Sequence, residues 1–220
     1  MAIQIYVFDA YGTLFDVHAA VRLHATVVGA KAEDISALWR GKQLEYSWIR
    51  SLMGRYVDFW QCTRDALEYA LRAHDRYDEG LVNQLLDAYR NLEAYPDARS
   101  TLMALRERGY KTAILSNGSP QMLSAAVASA GLADCLDEVL SVDTLQKYKP
   151  DPAVYGLVTK EFRLSPHEVS FQSSNNWDLA GACSFGFRCV RINRTGLPDE
   201  YCDVSRTRSI PTLEGLLSLN

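Results

Sequence analysis

Residues 3–16 read Ile-Gln-Ile-Tyr-Val-Phe-Asp-Ala-Tyr-Gly-Thr-Leu-Phe-Asp, and this stretch ties the chain to an open α/β sheet. Ile3 to Phe8 is a run of apolar and β-favouring residues long enough for one buried strand. It ends on Asp9, and Gly12 follows three residues later, where a tight turn carries the chain away. A carboxylate at the carboxyl end of a central strand stands at the edge where open α/β sheets place their chemistry. On this stretch alone an Asp that merely starts a turn is the competing account.

After Thr13 the pattern turns helical. Apolar residues recur at helical spacing as Leu38, Leu44 and Trp48, then Phe59, Cys62 and Leu67, then Leu81, Leu85 and Leu86. This predicts about four helices between Val17 and Leu92, a bundle-like insert. Tyr95-Pro96-Asp97 marks the return of the core, with a helix to about Arg108 and a strand from Lys111 to Leu115. Ser119-Pro120 and Asp151-Pro152 both read as a cap followed by proline in the first helical turn. Ser165-Pro166-His167-Glu168 has capping-box spacing. Further strands are expected at 139–142, 169–173 and 189–192, and further helices at 120–130, 152–162, 177–185 and 212–219. Strand and helix thus alternate after residue 95, which predicts a Rossmann-like, doubly wound parallel sheet. The expected division is a core of 1–16 and 95–220 with a helical cap of 17–94.

Composition narrows the partners. A net charge of −4 offers no broad basic field for nucleic acid. No stretch approaches the roughly 18 apolar residues of a membrane span, and the amino terminus has no secretory pattern. Cys62, Cys135, Cys183, Cys189 and Cys202 contain no Cys-x-x-Cys pair, and the four histidines do not complete a ligand spacing with them. Reduced thiols in a cytoplasmic protein, with no structural metal, are expected.

Four motifs carry the functional reading: Asp9 with Thr13; Ser116-Asn117-Gly118 after a strand; Lys149 within Tyr148-Lys149-Pro150-Asp151; and Ser173-Ser174-Asn175-Asn176-Trp177-Asp178. In this order, with a helical insert after the first, the chain resembles the L-2-haloacid dehalogenases of the haloacid dehalogenase superfamily from end to end. Leu38-Trp39-Arg40-Gly41-Lys42-Gln43-Leu44-Glu45-Tyr46 resembles that subfamily as well, although position 41 is Gly where relatives commonly carry a larger side chain. Most of the superfamily are magnesium-dependent phosphatases with a second Asp two residues after the first, an acid that protonates the leaving alkoxide. Here that residue is Tyr11, and a halide leaving group needs no proton.

The resemblance implies hydrolysis of short L-2-haloacids to D-2-hydroxy acids through an aspartyl ester on Asp9, with neither metal nor organic cofactor. It implies Lys149 as the cation beside Asp9 and Arg40 as the receiver of the departing halide. Two like charges about 4 Å apart repel by roughly 4 kcal/mol at an effective dielectric near 20, so an anionic nucleophile and an anionic substrate require such cations. Ser116 and Asn117 stand where the substrate carboxylate is bound, and Thr13 orders the Asp9 loop. The resemblance makes Asp178 the candidate for activating water, with Ser173, Asn175 and Tyr155 as orienting neighbours. Tyr11, Leu44, Phe59 and Trp177 resemble the apolar wall around the alkyl group. A homodimer is also a family expectation. Taken without the resemblance, Arg40 reads as a solvent-facing helix arginine, Asp178 as a helix-entry acid and the apolar four as plain core. The alternatives are a magnesium-dependent phosphatase of the same superfamily, a fluoroacetate-type dehalogenase, and a non-enzymatic descendant of the fold.

Overall fold

The computed structural model describes residues 2–204 and 207–219. Its centre is β1 (Ile5–Phe8), every residue of which is buried. β1 pairs in parallel with β2 (Lys111–Ser116) on one side and β4 (Val169–Ser173) on the other. β3 (Glu138–Ser141) lies outside β2, while β5 (Arg188–Ile192) and β6 (Arg208–Ile210) extend the other flank, giving the order β3-β2-β1-β4-β5-β6, parallel throughout. The winding reverses at β1. In such a sheet the crevice outside the carboxyl ends of the strands at that reversal is the natural ligand site. Asp9 is the next residue, and its N–H continues the ladder by donating to Gln172 O at 2.9 Å.

Between β1 and the return of the core lie α1 (Ala19–Leu23), α2 (Ala25–Val28), α3 (Ala32–Leu52), α4 (Phe59–Ala73) and α5 (Glu79–Arg90). That is one helix more than the sequence periodicity predicts, because the first helical stretch is interrupted at His24 into two short pieces. Asp58 caps α4 by accepting from Gln61 N–H, and Asp78 caps α5 by accepting from Leu81 N–H, each at 2.8 Å. The buried stripe of α3 also differs from expectation. Ile35, Trp39, Gln43 and Ser47 face inward, whereas Leu38, Leu44 and Trp48 are half-buried. A polar stripe is tolerated there because its side chains are hydrogen-bonded. The chain enters and leaves this helical stretch side by side: Phe15 bridges Ala94, and Tyr95 N–H donates to Leu14 O at 2.8 Å.

The remaining helices are α6 (Ala98–Glu107), α7 (Pro120–Ser129), α8 (Pro152–Phe162) and α9 (Asn176–Phe185). Ser119 and Asp151 cap α7 and α8 ahead of their prolines, and Ser165 with Glu168 forms the expected capping box. Two features at the carboxyl end depart from the sequence reading. The three-residue β6 is too short and too exposed to show a periodicity, and the terminal helix is a 3-10 helix over Leu213–Ser218. All five cysteines are free, and none of the helices among the described residues is long and apolar enough to cross a membrane.

Candidate active site

Asp9 is buried at the mouth of β1, on a turn where Gly12 adopts φ +96°. That left-handed conformation is one a side chain resists, so Gly12 lets the loop fold over its own carboxylate. Thr13 Oγ1 donates to Asp9 Oδ2 at 3.1 Å and accepts Ser174 N–H at 2.9 Å, tying the first motif to the fourth. Asn175 Nδ2 donates to the same oxygen at 2.9 Å. Ser173 Oγ in turn accepts Asn175 N–H at 3.1 Å, which fixes the turn that presents that amide.

Lys149 is fully buried and forks between two carboxylates, 3.1 Å from Asp9 Oδ1 and 2.8 Å from Asp178 Oδ2. Burial works against its charge, but Asp178 and Asp9 outweigh it and raise the amine above its ordinary value. Asp178, on the first turn of α9, is also fully buried; Tyr155 Oη donates to its Oδ1 at 2.9 Å. Burial pushes this acid up to about 6, with Lys149 opposing and Asp9 adding to the shift. A carboxylate so poised takes and returns a proton near neutrality. The bond before Pro150 is cis, and Lys149 N–H donates to Asn117 Oδ1 at 3.0 Å. Ser116 Oγ accepts Gly118 N–H at 3.1 Å. The second motif therefore holds its own turn and the lysine loop, and the Ser116 hydroxyl keeps a proton to donate.

From the inserted helices Arg40 reaches the core: Nη2 donates to Tyr11 O at 3.1 Å and Nη1 to Gln43 Oε1 at 2.8 Å. Tyr11 is buried where phosphatase relatives are expected to carry an acid. Its ring stacks on Tyr89 at 5.6 Å and 12°, with Phe59 at 6.2 Å. Burial holds the Tyr11 phenol well above its ordinary value, with Tyr89 adding to the shift. Trp177 is half-buried and meets Trp48 edge-on at 5.3 Å, while Leu44 is half-buried on α3. The structure thus brings Asp9, Thr13, Lys149, Tyr155, Ser173, Asn175 and Asp178 into one connected cluster, with Asn117 joined through Lys149. Arg40, Tyr11 and Phe59 stand beside it. Leu44 and Trp177 are held less tightly. An added Cβ at Gly41 would meet nothing within 4 Å, so the small residue there opens no hole in a packed wall.

Three features escaped the motifs. Gln43 is a buried partner of Arg40, and Tyr89 Oη in turn accepts from Gln43 Nε2 at 3.1 Å. The one available signal was an amide four residues after Trp39 on the inward stripe of α3. Arg194 grips Asp97 with two bonds of 2.8 and 2.9 Å and also reaches Thr13 O at 3.4 Å, bracing the turn that follows Asp9. Gly181 packs so closely that a Cβ would lie 2.5 Å from Tyr155 Oη. Among the described residues, no three His, Cys, Asp or Glu side chains are grouped to hold a metal ion.

A carboxylate at a strand end, flanked by a buried lysine and a second carboxylate able to handle a proton, is equipped for nucleophilic displacement followed by ester hydrolysis. The chain belongs to the haloacid dehalogenase-like hydrolases, whose family model matches residues 3–186. It is 50% identical over 214 residues to (S)-2-haloacid dehalogenase 1 of Pseudomonas sp. strain CBS-3, covering 97% of this chain and 94% of that one. With (S)-2-haloacid dehalogenase 4A of Burkholderia cepacia it shares 55% identity over 196 residues, 89% of this chain and 85% of that one. The structure of L-2-haloacid dehalogenase from Xanthobacter autotrophicus with chloropropionic acid covalently bound superposes with a TM-score of 0.90 at 40% identity, over 99% of this chain and 98% of that one.

Proposed function

We propose that this protein hydrolyses the carbon–halogen bond of short L-2-haloacids, giving D-2-hydroxy acids through an ester on Asp9. The observation that carries the reading is the buried Asp9–Lys149–Asp178 relay, set beside an aromatic Tyr11 rather than an acid. An Asp9 oxygen attacks carbon 2 from behind; the carbon–oxygen bond forms as the carbon–halogen bond breaks, and its electron pair leaves with the halide. Carbon 2 is inverted in that single displacement. Water then adds to Asp9 Cγ while Asp178 takes its proton. The oxyanion collapses and Asp178 returns the proton to the departing alkoxide oxygen. Asp9 leaves this step as a carboxylic acid and becomes a carboxylate again by giving its remaining proton, the second one of the water, to solvent.

In this scheme Lys149 offsets the charge of Asp9 and Asp178, and Arg40 receives the halide. Thr13 and Asn175 hold Asp9 on one oxygen, so its attacking geometry is set before substrate arrives. Ser116 and Asn117 bind the substrate carboxylate, and Tyr11, Phe59, Leu44 and Trp177 surround its alkyl group. Ser173 and Tyr155 orient Asn175 and Asp178. The division into a core of 1–16 and 95–220 with a cap of 17–94 is supported by the paired linkers at Phe15 and Ala94. Exposed Leu23, Val27, Leu52 and Met53 on or beside those helices support a homodimer, which light scattering tests. Five free thiols fit a reducing, cytoplasmic setting.

The test is halide release from L-2-chloropropionate in EDTA, with chiral analysis of the product. A single turnover in heavy-oxygen water places the label in the Asp9 carboxylate; label passing straight into the hydroxy acid refutes the ester. A magnesium-stimulated aryl phosphatase activity would move the chain to the other branch of its superfamily.

A further inference from the structure

The geometry points to Gln43 as a positioning residue for Arg40, one that sets how strongly the halide is held and thereby how well poor leaving groups are expelled. This rests on the reaction proposed above. Gln43 is 1% exposed in the middle of α3, three residues from Arg40. An unpaired amide in such a place costs stability, and here every polar atom of the side chain is engaged. Its Oε1 accepts from Arg40 Nη1 at 2.8 Å, and its Nε2 donates to Thr63 Oγ1 at 2.6 Å. Tyr89 Oη closes the group at 3.1 Å from the amide nitrogen.

The orientation of the amide follows from its partners. A guanidinium has only donors, so the oxygen of Gln43 must face Arg40. Thr63 gives its hydroxyl proton to Phe59 O at 2.7 Å and must therefore accept from Nε2. The network has one consistent arrangement, and it is anchored at both ends. Trp39 Nε1 donates to Thr63 O at 2.8 Å, and Tyr89 stacks on Tyr11 of the core. The hollow lined by Val17, Ser36, Trp39, Arg40, Gln43 and Tyr89 leaves no space for the centre of a water molecule. Solvent cannot take over the acceptor role if the amide is lost.

The guanidinium is consequently held at two corners, by Gln43 on one Nη and by the Tyr11 carbonyl on the other. Two of its five donors are used in this way, and the plane is fixed before a halide arrives. A flexible arginine would have to be ordered during bond breaking instead. Fixing matters most where the leaving group carries most of its charge late and unaided. Chloride should depend on it more than iodide.

The experiment compares the unmodified protein with Gln43→Met, which keeps volume and removes both hydrogen-bonding ends. Tyr89→Phe is a milder second variant that keeps the ring stacked on Tyr11. Single-turnover ester formation is measured with L-2-chloro- and L-2-iodopropionate, together with ester hydrolysis and the affinity for free bromide by calorimetry. For Gln43→Met we expect ester formation about tenfold slower with the chloro acid and about threefold slower with the iodo acid. Ester hydrolysis should be unchanged, and bromide should bind about tenfold more weakly. Tyr89→Phe should move the same quantities in the same direction by less, and it stands alone if Gln43→Met fails to fold. Equal losses for both halogens, or an unchanged bromide affinity, overturn the inference. If the unmodified protein releases no halide from any haloacid, the proposed reaction fails. Bromide binding still judges the role of Gln43 in that case, since it needs no turnover.

Discussion

If Asp178 is the base of the proposed reaction, its raised proton affinity sets the pH behaviour expected of ester hydrolysis. Raised to about 6 from the ordinary carboxylate range, it is ionised above that value and protonated below it. A base must be ionised to accept a proton, so hydrolysis of the ester should fall about tenfold per pH unit below about 6. Ester formation, which needs no proton acceptor, should persist further into acid. Rapid-quench measurement of the two steps from pH 4 to pH 8 checks this. An acid limb shared equally by both steps would show that Asp178 is not the water-activating group. Lys149 makes a second residue-scale prediction. Replacing it with Met leaves two buried carboxylates without their cation, an arrangement expected to cost about 3–5 kcal/mol. Lys149→Met combined with Asp178→Asn removes one of those charges and should recover much of the stability while remaining inactive. Denaturant midpoints and halide release decide it; a double variant no more stable than Lys149→Met would be evidence against charge as the cause. These residues were legible in the sequence because each lies in a short motif of its own. Arg194 and Gln43 were not. Their partners lie far away in the chain, Asp97 for the one and Thr63 and Tyr89 for the other, and only folding brings them together.

At the scale of elements, the strand and helix pattern was readable wherever caps and buried runs coincide, as at Ser119-Pro120 and Asp151-Pro152. It failed where tertiary contacts decide. The inward stripe of α3 is set by hydrogen bonds to α4 and α5 rather than by hydrophobic spacing, and β6 exists only because β5 offers it an edge. Two glycines divide along the same line. Gly41 sits inside α3 with open space around a would-be Cβ, so nothing in the packing requires it. Gly41→Ala should stabilise the protein by about 0.5–1 kcal/mol through the lower conformational freedom of the unfolded chain. A thermal scan showing no gain would mean that this exposed position is constrained by something other than the helix. Gly181 is the opposite case. Its added Cβ would lie 2.5 Å from Tyr155 Oη and 2.7 Å from Pro150 Cβ. Gly181→Ala must push Tyr155 away from Asp178, at a cost of about 1–3 kcal/mol. The ester should then form but hydrolyse slowly and accumulate, which intact-protein mass spectrometry detects; turnover at the unmodified rate would separate Tyr155 from the second step.

For the molecule as a whole, the difficulty is entry. Asp9 is 5% exposed, and Lys149 and Asp178 are not exposed at all, so movement of the inserted helices away from the sheet is the entry route we expect for a haloacid. The contacts holding the two together are aromatic as well as polar: Tyr11 packs on Tyr89 and Phe59, and Tyr148 on Tyr56 and Phe59. Tyr56 Oη donates to Asp143 Oδ1 at 2.7 Å, Ser51 Oγ accepts Tyr148 N–H at 2.9 Å, and Arg40 Nη2 reaches Tyr11 O. Tyr148 Oη adds a bond to Val57 O at 2.6 Å, and Trp48 rests edge-on against Trp177. The polar latches lose little on opening because water replaces them, so the aromatic contacts set most of its cost. Trp48 and Trp177 straddle the seam, which makes their exposure a direct gauge of opening. Tyr56→Phe removes one latch without disturbing the ring and should shift the balance toward the open form by about 1 kcal/mol, roughly fivefold in population. In a chain with Trp39 and Trp60 replaced by Phe, acrylamide quenching should therefore rise on Tyr56→Phe. It should return toward the unmodified level once an ester is trapped with Asp178→Asn, because the bound acyl group bridges both sides of the seam. Quenching that ignores both changes would mean the helices and sheet move as one body, and the substrate would then need a route through the core itself.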